Sequence, residues 1–160
     1  MQVLTVLIVD DDPCRRRALR RAIQREDRRL LTATSGAEGL RVAQRTQPDL
    51  VLTAMRLEDM SGSDLLASLE DRSIRRVLFA GFEDIGRVLA ARDAGAVHRY
   101  VTEPWDCDDL RDVIEAELRL RLDACRSPEI ERLQRATREL QRKNATACSL
   151  LTLTRQMAAD

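Results

Sequence analysis

Short apolar runs alternate along the chain with segments in which apolar residues recur every three or four positions. The first run, Val3–Val9, is rich in β-branched residues and is followed by three acids, which is typical of a strand buried on both faces. Residues 13–27 then carry apolar residues at helical spacing, with Pro13 in the first turn, which predicts a helix. The later predicted strands are Leu30–Ala33, Leu50–Ala54, Val77–Ala80 and Val97–Thr102, and the later predicted helices cover residues 35–45, 63–70, 84–93 and 106–123.

This alternation of five strands with five helices predicts an α/β fold built on a doubly wound parallel sheet. In such sheets, binding and catalytic groups lie just beyond the carboxyl ends of the strands. Chemistry is therefore expected at the few residues that end or follow the strands. These are Asp10, Asp11 and Asp12 after the first strand, Ala54 and Ala80 at the ends of the third and fourth, and Glu103 after the fifth.

Beyond Asp123 the pattern changes, because Ser127-Pro128 is typical of a capping residue and the first position of a new or kinked helix. The residues that follow alternate at spacings of three and four, which predicts a coiled-coil seam that begins at Ile130. We expect residues 1–122 to form the α/β domain and residues 123–160 a long helical segment for dimerisation or linkage. The seam consists of Ile130, Leu133, Thr137, Leu140, Asn144, Ala147, Leu151 and Thr154.

The seam has two interpretations. Asn144 at an a position favours a parallel homodimer, in which the two amides can satisfy one another. The alternative is one amphipathic helix that folds back on the α/β domain, although the helices of that domain already cover the faces of its sheet.

The composition narrows the class of protein further. Apolar residues make up 44% and charged residues 34%, and 27 basic residues balance 27 acidic ones, so no global field draws the chain to nucleic acid or anionic lipid. The four cysteines form no C-x-x-C pair and His98 is the only histidine, which disfavours zinc and disulfide frameworks. No segment resembles a signal peptide or a membrane span, so we expect a cytoplasmic protein that does not bind membranes.

Three segments resemble the receiver domain of two-component response regulators: VLIVDDDP, PDLVLTAMRLEDMSG and AGAVHRYVTEPW. The resemblance extends from residue 1 to about residue 122 and implies the flavodoxin-like fold with strand order 2-1-3-4-5. The ending Glu-Pro-Trp, followed by a long helix, is similar to receivers with Lys-Pro-Trp that precede transcriptional or cyclic-dinucleotide output modules. This chain could accordingly be the regulatory fragment of a longer response regulator.

The resemblance also implies a set of working residues, most of which this chain lacks. Asp10 and Asp11 match the acid pair that holds Mg²⁺ in the family. Ala54 stands where the family has its phosphoacceptor Asp, Ala80 where it has a hydroxyl, and Glu103 where it has a Lys. A methyl group cannot act as a nucleophile, and Glu103 puts negative charge where the phosphoryl group needs a cation. We expect a degenerate pseudo-receiver that requires no cofactor and binds Mg²⁺ weakly at most.

The same resemblance implies roles for two further residues. Tyr100 matches the switch aromatic of the family, and Pro104 follows Glu103 where the family has a cis peptide bond. Asp12 is expected to begin the first helix rather than to bind metal. The acids Asp10, Asp11 and Glu103 could bind a divalent cation, but we favour the alternative in which Arg56 neutralises part of the cluster and the rest stays solvated.

We therefore predict a non-enzymatic, phosphorylation-independent module that dimerises and binds a signalling protein such as a histidine kinase or an output protein. The arginines of the first helix form either a docking face for an acidic partner or a solvated face, and nucleic acid is disfavoured because no DNA-binding motif accompanies them. An alternative is a phosphoacceptor that uses another carboxylate, such as Asp59. The arginines are Arg15, Arg16, Arg17, Arg20, Arg21, Arg25, Arg28 and Arg29.

Overall fold

The computed structural model describes the backbone of residues 2–157, and the side chains there except those of residues 127, 129–131 and 145–157. It contains one five-stranded parallel sheet in the order β2-β1-β3-β4-β5, which confirms the predicted fold class. The strands are β1 (Leu4–Val9), β2 (Arg28–Ala33), β3 (Leu50–Ala54), β4 (Arg75–Ala80) and β5 (Arg99–Thr102). The helices are α1 (Pro13–Ile23), α2 (Gly36–Thr46), α3 (Gly62–Ala67), α4 (Ile85–Asp93) and α5 (Cys107–Met157), and a 3-10 turn covers Phe82–Asp84.

The two central strands form the middle of the core. Every residue of β3 is buried, and so is every residue of β1 except Thr5, because helices cover both faces of the sheet. Leu7 of β1 lies beside Leu31 of β2 on one side and Val51 of β3 on the other. The continuous apolar runs in the sequence therefore correspond to strands buried on both faces.

Local capping interactions fix the ends of the helices. The Asp12 carboxylate accepts hydrogen bonds from the backbone N–H groups of Cys14 at 2.9 Å and Arg15 at 3.4 Å, so it caps α1 as predicted. Ser35 caps α2 in the same way, through a 3.1 Å bond from the N–H of Glu38. Gly95 follows α4 with a φ of 80°, a conformation that glycine adopts without strain.

Arginines that are paired with acids of α5 extend two strands beyond their predicted starts. Arg28 begins β2, where its guanidinium donates to the Ile23 carbonyl at 2.8 Å and pairs with Glu115 of α5. Arg75 begins β4 and pairs with the buried Glu117 carboxylate at 2.5 Å. Because these partners lie more than 40 residues away in the sequence, the local pattern of apolar residues did not indicate them.

The last helix continues past the point where a new helix was predicted. Pro128 lies inside α5, and the helix continues through it, although a proline removes one backbone hydrogen bond. The chain divides into two compact units between Arg121 and Leu122. In the second unit Leu133 and Leu140 are 63% and 61% exposed. Asn144 is also exposed, and the predicted seam residues Ile130 and Leu151 lie outside the described side chains.

None of the helices in the described part of the chain combines the length and the apolar character that crossing a membrane requires.

Candidate functional site

The carboxyl ends of four neighbouring elements meet at one edge of the sheet. Ala54 ends β3 beside Phe79 of β4, and Ala80 ends β4 beside Thr102 of β5. The N–H of Glu103 donates to the Ala80 carbonyl at 2.9 Å, so the residue after β5 stays joined to the end of β4. Together with Asp10, which directly follows β1, these are the positions at which the sequence predicted chemistry.

Asp10 is the centre of this edge and is fully buried. Its carboxylate accepts two hydrogen bonds from the guanidinium of Arg15, one from Nε and one from Nη2 at 2.8 Å. It also accepts the N–H of Asp12 at 3.0 Å, and its backbone carbonyl accepts from Arg16 Nη1 at 2.6 Å. Because both oxygens are hydrogen-bonded, the buried negative charge is compensated within the chain.

Arg15 joins the three acids of the predicted cluster. Beyond its contacts with Asp10, its Nη1 lies 3.4 Å from Glu103 Oε1 and its Nη2 lies 3.9 Å from Asp11 Oδ1. The guanidinium carbon also lies 5.4 Å from the ring centre of Phe79, within reach of a cation–π interaction. The hydrogen bonds that Arg15 donates to Asp10 raise the pKa of Arg15 above its ordinary value, so the guanidinium stays charged.

This arrangement does not fit a divalent cation. The guanidinium of Arg15 occupies the side of Asp10 that faces the other two acids and satisfies the carboxylate oxygens that a metal would need. Among the side chains that the structure describes, no group of three acidic, histidine or cysteine residues is placed to hold a metal ion. The cluster is therefore an ion-pair network around an internal cation.

The prediction that Arg56 neutralises the acid cluster is wrong. The Arg56 guanidinium binds Asp84 instead, with Nε 2.8 Å and Nη2 3.2 Å from the two carboxylate oxygens. The Asp84 carboxylate is nearly fully buried at the start of α4, and the hydrogen bonds from Arg56 lower its pKa. Asp10 is not left solvated either, because it is fully buried and paired with Arg15, whereas the side chains of Asp11 and Glu103 are 25% and 32% exposed.

Methyl groups end the two strands in the middle of this edge. Ala54 and Ala80 are both buried, and with Phe79 they line a small cavity of about 130 Å³. The same cavity is also lined by the charged residues Arg15, Arg56, Glu83, Asp84 and Glu103. Gly62 packs so closely over β3 that an added Cβ would lie 2.0 Å from the Ala54 carbonyl oxygen. No nucleophilic side chain projects from the end of β3 or β4, so this part of the edge has nothing with which to form a covalent bond.

Comparison with known proteins identifies the family. The response regulator receiver domain matches residues 6–115. The chain belongs to the response regulator receiver family. It is 34% identical over 115 residues to the transcriptional regulatory protein GlrR of Escherichia coli, an alignment that covers 71% of this chain and 26% of GlrR. It is 36% identical over 115 residues to the transcriptional regulatory protein KdpE of Mycobacterium tuberculosis, which covers 71% of this chain and 50% of KdpE.

A solved structure agrees with this assignment. The crystal structure of an uncharacterized protein from Neptuniibacter caesariensis superposes with a TM-score of 0.73 at 29% identity, and the match covers 76% of this chain and 91% of that one. The chain spans only a quarter of GlrR and half of KdpE, so the match is to the receiver portion of those regulators.

Two further positions of the receiver can be located in the structure. The peptide bond between Glu103 and Pro104 is cis, in line with the expectation from the sequence. Tyr100 is half-buried and packs against the core cluster that contains Ala80. The guanidinium of Arg92 lies 5.9 Å from the centre of the Tyr100 ring, so the aromatic ring has a cation on its outer face.

Asp59, the alternative phosphoacceptor, lies in the loop after β3 and acts as a second cap of α2. Its two carboxylate oxygens accept the N–H groups of Gly36 and Ala37, each at 2.9 Å. These hydrogen bonds lower the pKa of Asp59. The contacts tie the loop after β3 to α2, which gives Asp59 a structural role.

The basic face of α1 is smaller than the sequence indicated. Arg15 and Arg16 both bond to Asp10, and Arg25 and Arg28 both pair with Glu115 of α5. The arginines of this set that are exposed and have no hydrogen bond or ion pair to another described side chain are Arg17, Arg20, Arg21 and Arg29.

Arg15 is the functional residue that sequence reasoning missed. From the sequence alone, Arg15 groups with the other arginines of α1 and its exit, because seven more arginines follow it within residues 16–29. One signal could have distinguished it, since Arg15 lies in the first turn of α1 and only five residues after Asp10. The first turn of that helix lies at the same edge as the strand ends.

Proposed function

We propose that this receiver acts without phosphorylation, as a non-enzymatic signalling module that works by binding other proteins. The proposal is supported first by Ala54, because the position that ends β3 has a buried methyl group and no nucleophile. Ala80 offers no hydroxyl to a phosphoryl oxygen, and Glu103 places a negative charge where the family has a Lys. Each of these residues alone would weaken phosphoryl transfer, and together they remove its chemistry.

The observation that carries the proposal is the pairing of Arg15 with Asp10. A receiver that exchanges phosphoryl groups needs a cation that arrives and coordinates the incoming oxygens. Here the cation is the Arg15 side chain, which donates hydrogen bonds to both Asp10 oxygens. A fixed guanidinium compensates the charge of Asp10 permanently, so the site needs no diffusible cation and has no phosphate-dependent second state.

The test is incubation of the full chain with acetyl phosphate and Mg²⁺, followed by intact-mass measurement. We expect no added phosphoryl group, whereas a phosphorylatable receiver in the same mixture should acquire one. A stoichiometric mass gain in this chain would contradict the proposal. The Asp59→Asn variant then identifies the acceptor, because loss of the gain would assign phosphorylation to Asp59, and persistence would assign it elsewhere.

We also propose that the module is a parallel homodimer joined by its C-terminal helix. In the described part of the seam, Leu133 and Leu140 expose most of their side chains to solvent, and Thr137 and Asn144 continue the heptad spacing. Burying a leucine side chain contributes about 1.5 to 3 kcal/mol, so a second helix would stabilise this face considerably. Asn144 at an a position favours two parallel strands.

Sedimentation of the full chain tests the dimer. We expect a dimer at tens of micromolar, and a monomer for the double variant Leu133→Gln, Leu140→Gln, because polar residues at d positions remove the apolar contact. Arg135→Gln is the matched control, since position 135 faces away from the seam in the heptad. A wild-type monomer would favour the helix that folds back on the domain.

A second candidate function is the regulatory part of a longer response regulator. One observation favours it: GlrR and KdpE are transcriptional regulatory proteins, and this chain matches 26% and 50% of their lengths. The long helix α5 would then connect the receiver to an output domain. The DNA sequence that follows the codon for Asp160 tests this directly, because an open reading frame that continues into a known output domain would establish it.

A further inference from the structure

An open groove of about 540 Å³ lies between the loops that follow β4 and β5. One wall contains Phe82, in the 3-10 turn after β4, and the other contains Pro104 and Trp105, after β5. Phe82 is 81% exposed, the largest exposed fraction among the large apolar side chains that the structure describes. Because β4 and β5 are adjacent strands, the sheet itself holds the two walls side by side.

The aromatic residues of the chain are few, which makes their placement informative. The whole sequence contains two Phe, one Tyr and one Trp. Phe79 is buried and Tyr100 packs against the core, so those two stabilise the domain. Phe82 and Trp105 instead line the groove. An aromatic side chain left in water and paired with a second aromatic across an open groove is typical of a binding surface.

The charge of the groove selects the chemistry of its occupant. Arg15, Glu83 and Glu103 line it, and the Glu83 carboxylate lies over Gly81, at 3.1 Å from where a Cβ of that residue would be. The Arg15 guanidinium is paired with Asp10 and Glu103, whereas Glu83 makes no hydrogen bond or ion pair with another side chain among the described residues. The Glu83 carboxylate is therefore the charge of the groove that is left to attract a cationic group.

We propose that this groove binds a segment of another protein that presents an arginine next to an apolar side chain. The guanidinium would stack on an aromatic face and reach Glu83, while the apolar neighbour packs on Phe82 and Pro104. The inference deepens the proposed function, because it names the partner chemistry of a receiver that acts by binding. Binding of such a segment does not require phosphorylation to be absent. A negative peptide titration would therefore leave the proposed function standing, and a positive acetyl phosphate experiment would leave the groove proposal standing.

Trp105 is the only tryptophan of the chain, so its fluorescence reports on the groove directly. The probe is the acetylated and amidated peptide Arg-Leu-Arg-Leu, titrated into the full-length protein at low ionic strength. Its control has citrulline in place of both arginines, which keeps the shape and removes the charge. We expect a saturable change in Trp105 fluorescence with the arginine peptide, weakened by salt, and no saturable change with the citrulline peptide.

Substitutions in the groove complete the test. Phe82→Ala and Glu83→Gln should each weaken binding of the arginine peptide by at least about threefold. Val3→Ala is the matched control, because Val3 is also an exposed apolar residue but precedes β1, at the opposite edge of the sheet. Thermal unfolding of each variant should match that of the wild type, since both groove side chains are exposed.

Three results would overturn the proposal. One is equal binding of the arginine and citrulline peptides, and another is unchanged affinity in both groove variants. The third is a Trp105 signal that appears when the protein alone is concentrated and disappears in Phe82→Ala, because the occupant would then be a second copy of this chain.

Discussion

Two arginine–aspartate pairs lie at the same edge of the sheet and differ in their surroundings. In both pairs, nitrogens of one guanidinium bond to the two oxygens of one buried carboxylate. The Arg15 side chain is 31% exposed and also contacts Asp11, Glu103 and the Phe79 ring. The Arg56 side chain is 68% exposed and pairs with Asp84 alone.

The comparison shows how burial and the number of partners give two similar pairs different roles. Among the described residues, the Arg15 guanidinium is the one cation paired with all three acids around Asp10, and we propose that it takes the place of a diffusible cation. The second pair connects the loop after β3 to the start of α4 at the surface, where water and salt compete with it. We therefore expect the two arginines to differ in what their removal costs.

The largest effect is expected from Arg15→Ala. This substitution leaves the Asp10 carboxylate fully buried without its cation, and removing one partner of a buried ion pair typically costs about 3 kcal/mol or more. Urea unfolding should report a decrease of that order in the free energy of unfolding. Arg17→Ala is the matched control on the same helix, and its effect should stay within about 0.5 kcal/mol, because Arg17 is exposed.

A second substitution separates charge from packing in that result. Adding Asp10→Asn to Arg15→Ala removes the uncompensated charge, so part of the lost stability should return. If the double variant is no more stable than Arg15→Ala, the guanidinium stabilises the domain through packing on Phe79 and not through the carboxylate.

A smaller effect is expected from Arg56→Gln. The pair lies at the surface on its arginine side, so the melting temperature should fall less than in Arg15→Ala. The difference between wild type and Arg56→Gln should shrink further at high salt, whereas the effect of Arg15→Ala should persist. Equal and equally salt-sensitive losses in the two variants would remove the distinction between the pairs.

The smallest effect is expected in the pH dependence of stability at acidic pH. Hydrogen bonds from Arg56 lower the pKa of Asp84 below the value of about 3.9 expected in an unfolded chain. A group of this kind contributes stability that is complete above its unfolded pKa and is lost as the pH falls through its folded pKa. Below about pH 4, the stability of Arg56→Gln should therefore change less steeply with pH than that of the wild type. Parallel curves would show that Arg56 does not set the pKa of Asp84.

Most of the fold could be predicted from the sequence, because each strand of the centre is a continuous apolar run. The strand order agrees with the one that the resemblance to the receiver family implied. The caps Asp12 and Ser35 and the positive φ of Gly95 agree with residue types whose preferences are local. The starts of β2 and β4 could not be predicted, since the charges of Arg28 and Arg75 are paired there with carboxylates of α5, which are distant in the sequence.

The candidate site, like the fold, could be predicted only in part from the sequence. The residues at the strand ends could be named, because their positions depend on the order of strands along the chain. The partner of Asp10 could not be assigned, since several arginines lie within reach and the sequence does not indicate which of them turns toward the edge. Arg56 was expected there, but the buried Asp84 lies closer to it. Side-chain direction at a helix start depends on tertiary packing, which the spacing of residues does not contain.

The most direct test of the internal cation is a Mg²⁺ titration that compares the wild type with Arg15→Ala. A free cation at about ten times its dissociation constant stabilises a folded protein by about 1.4 kcal/mol, which thermal unfolding detects. With Arg15 in place, millimolar Mg²⁺ should leave the melting temperature unchanged, and calorimetry should show no saturable heat. In Arg15→Ala, Asp10, Asp11 and Glu103 are free to accept a cation, so Mg²⁺ should restore part of the lost stability. Micromolar Mg²⁺ binding to the wild type would contradict the account, because Arg15 would then not occupy the place of the cation.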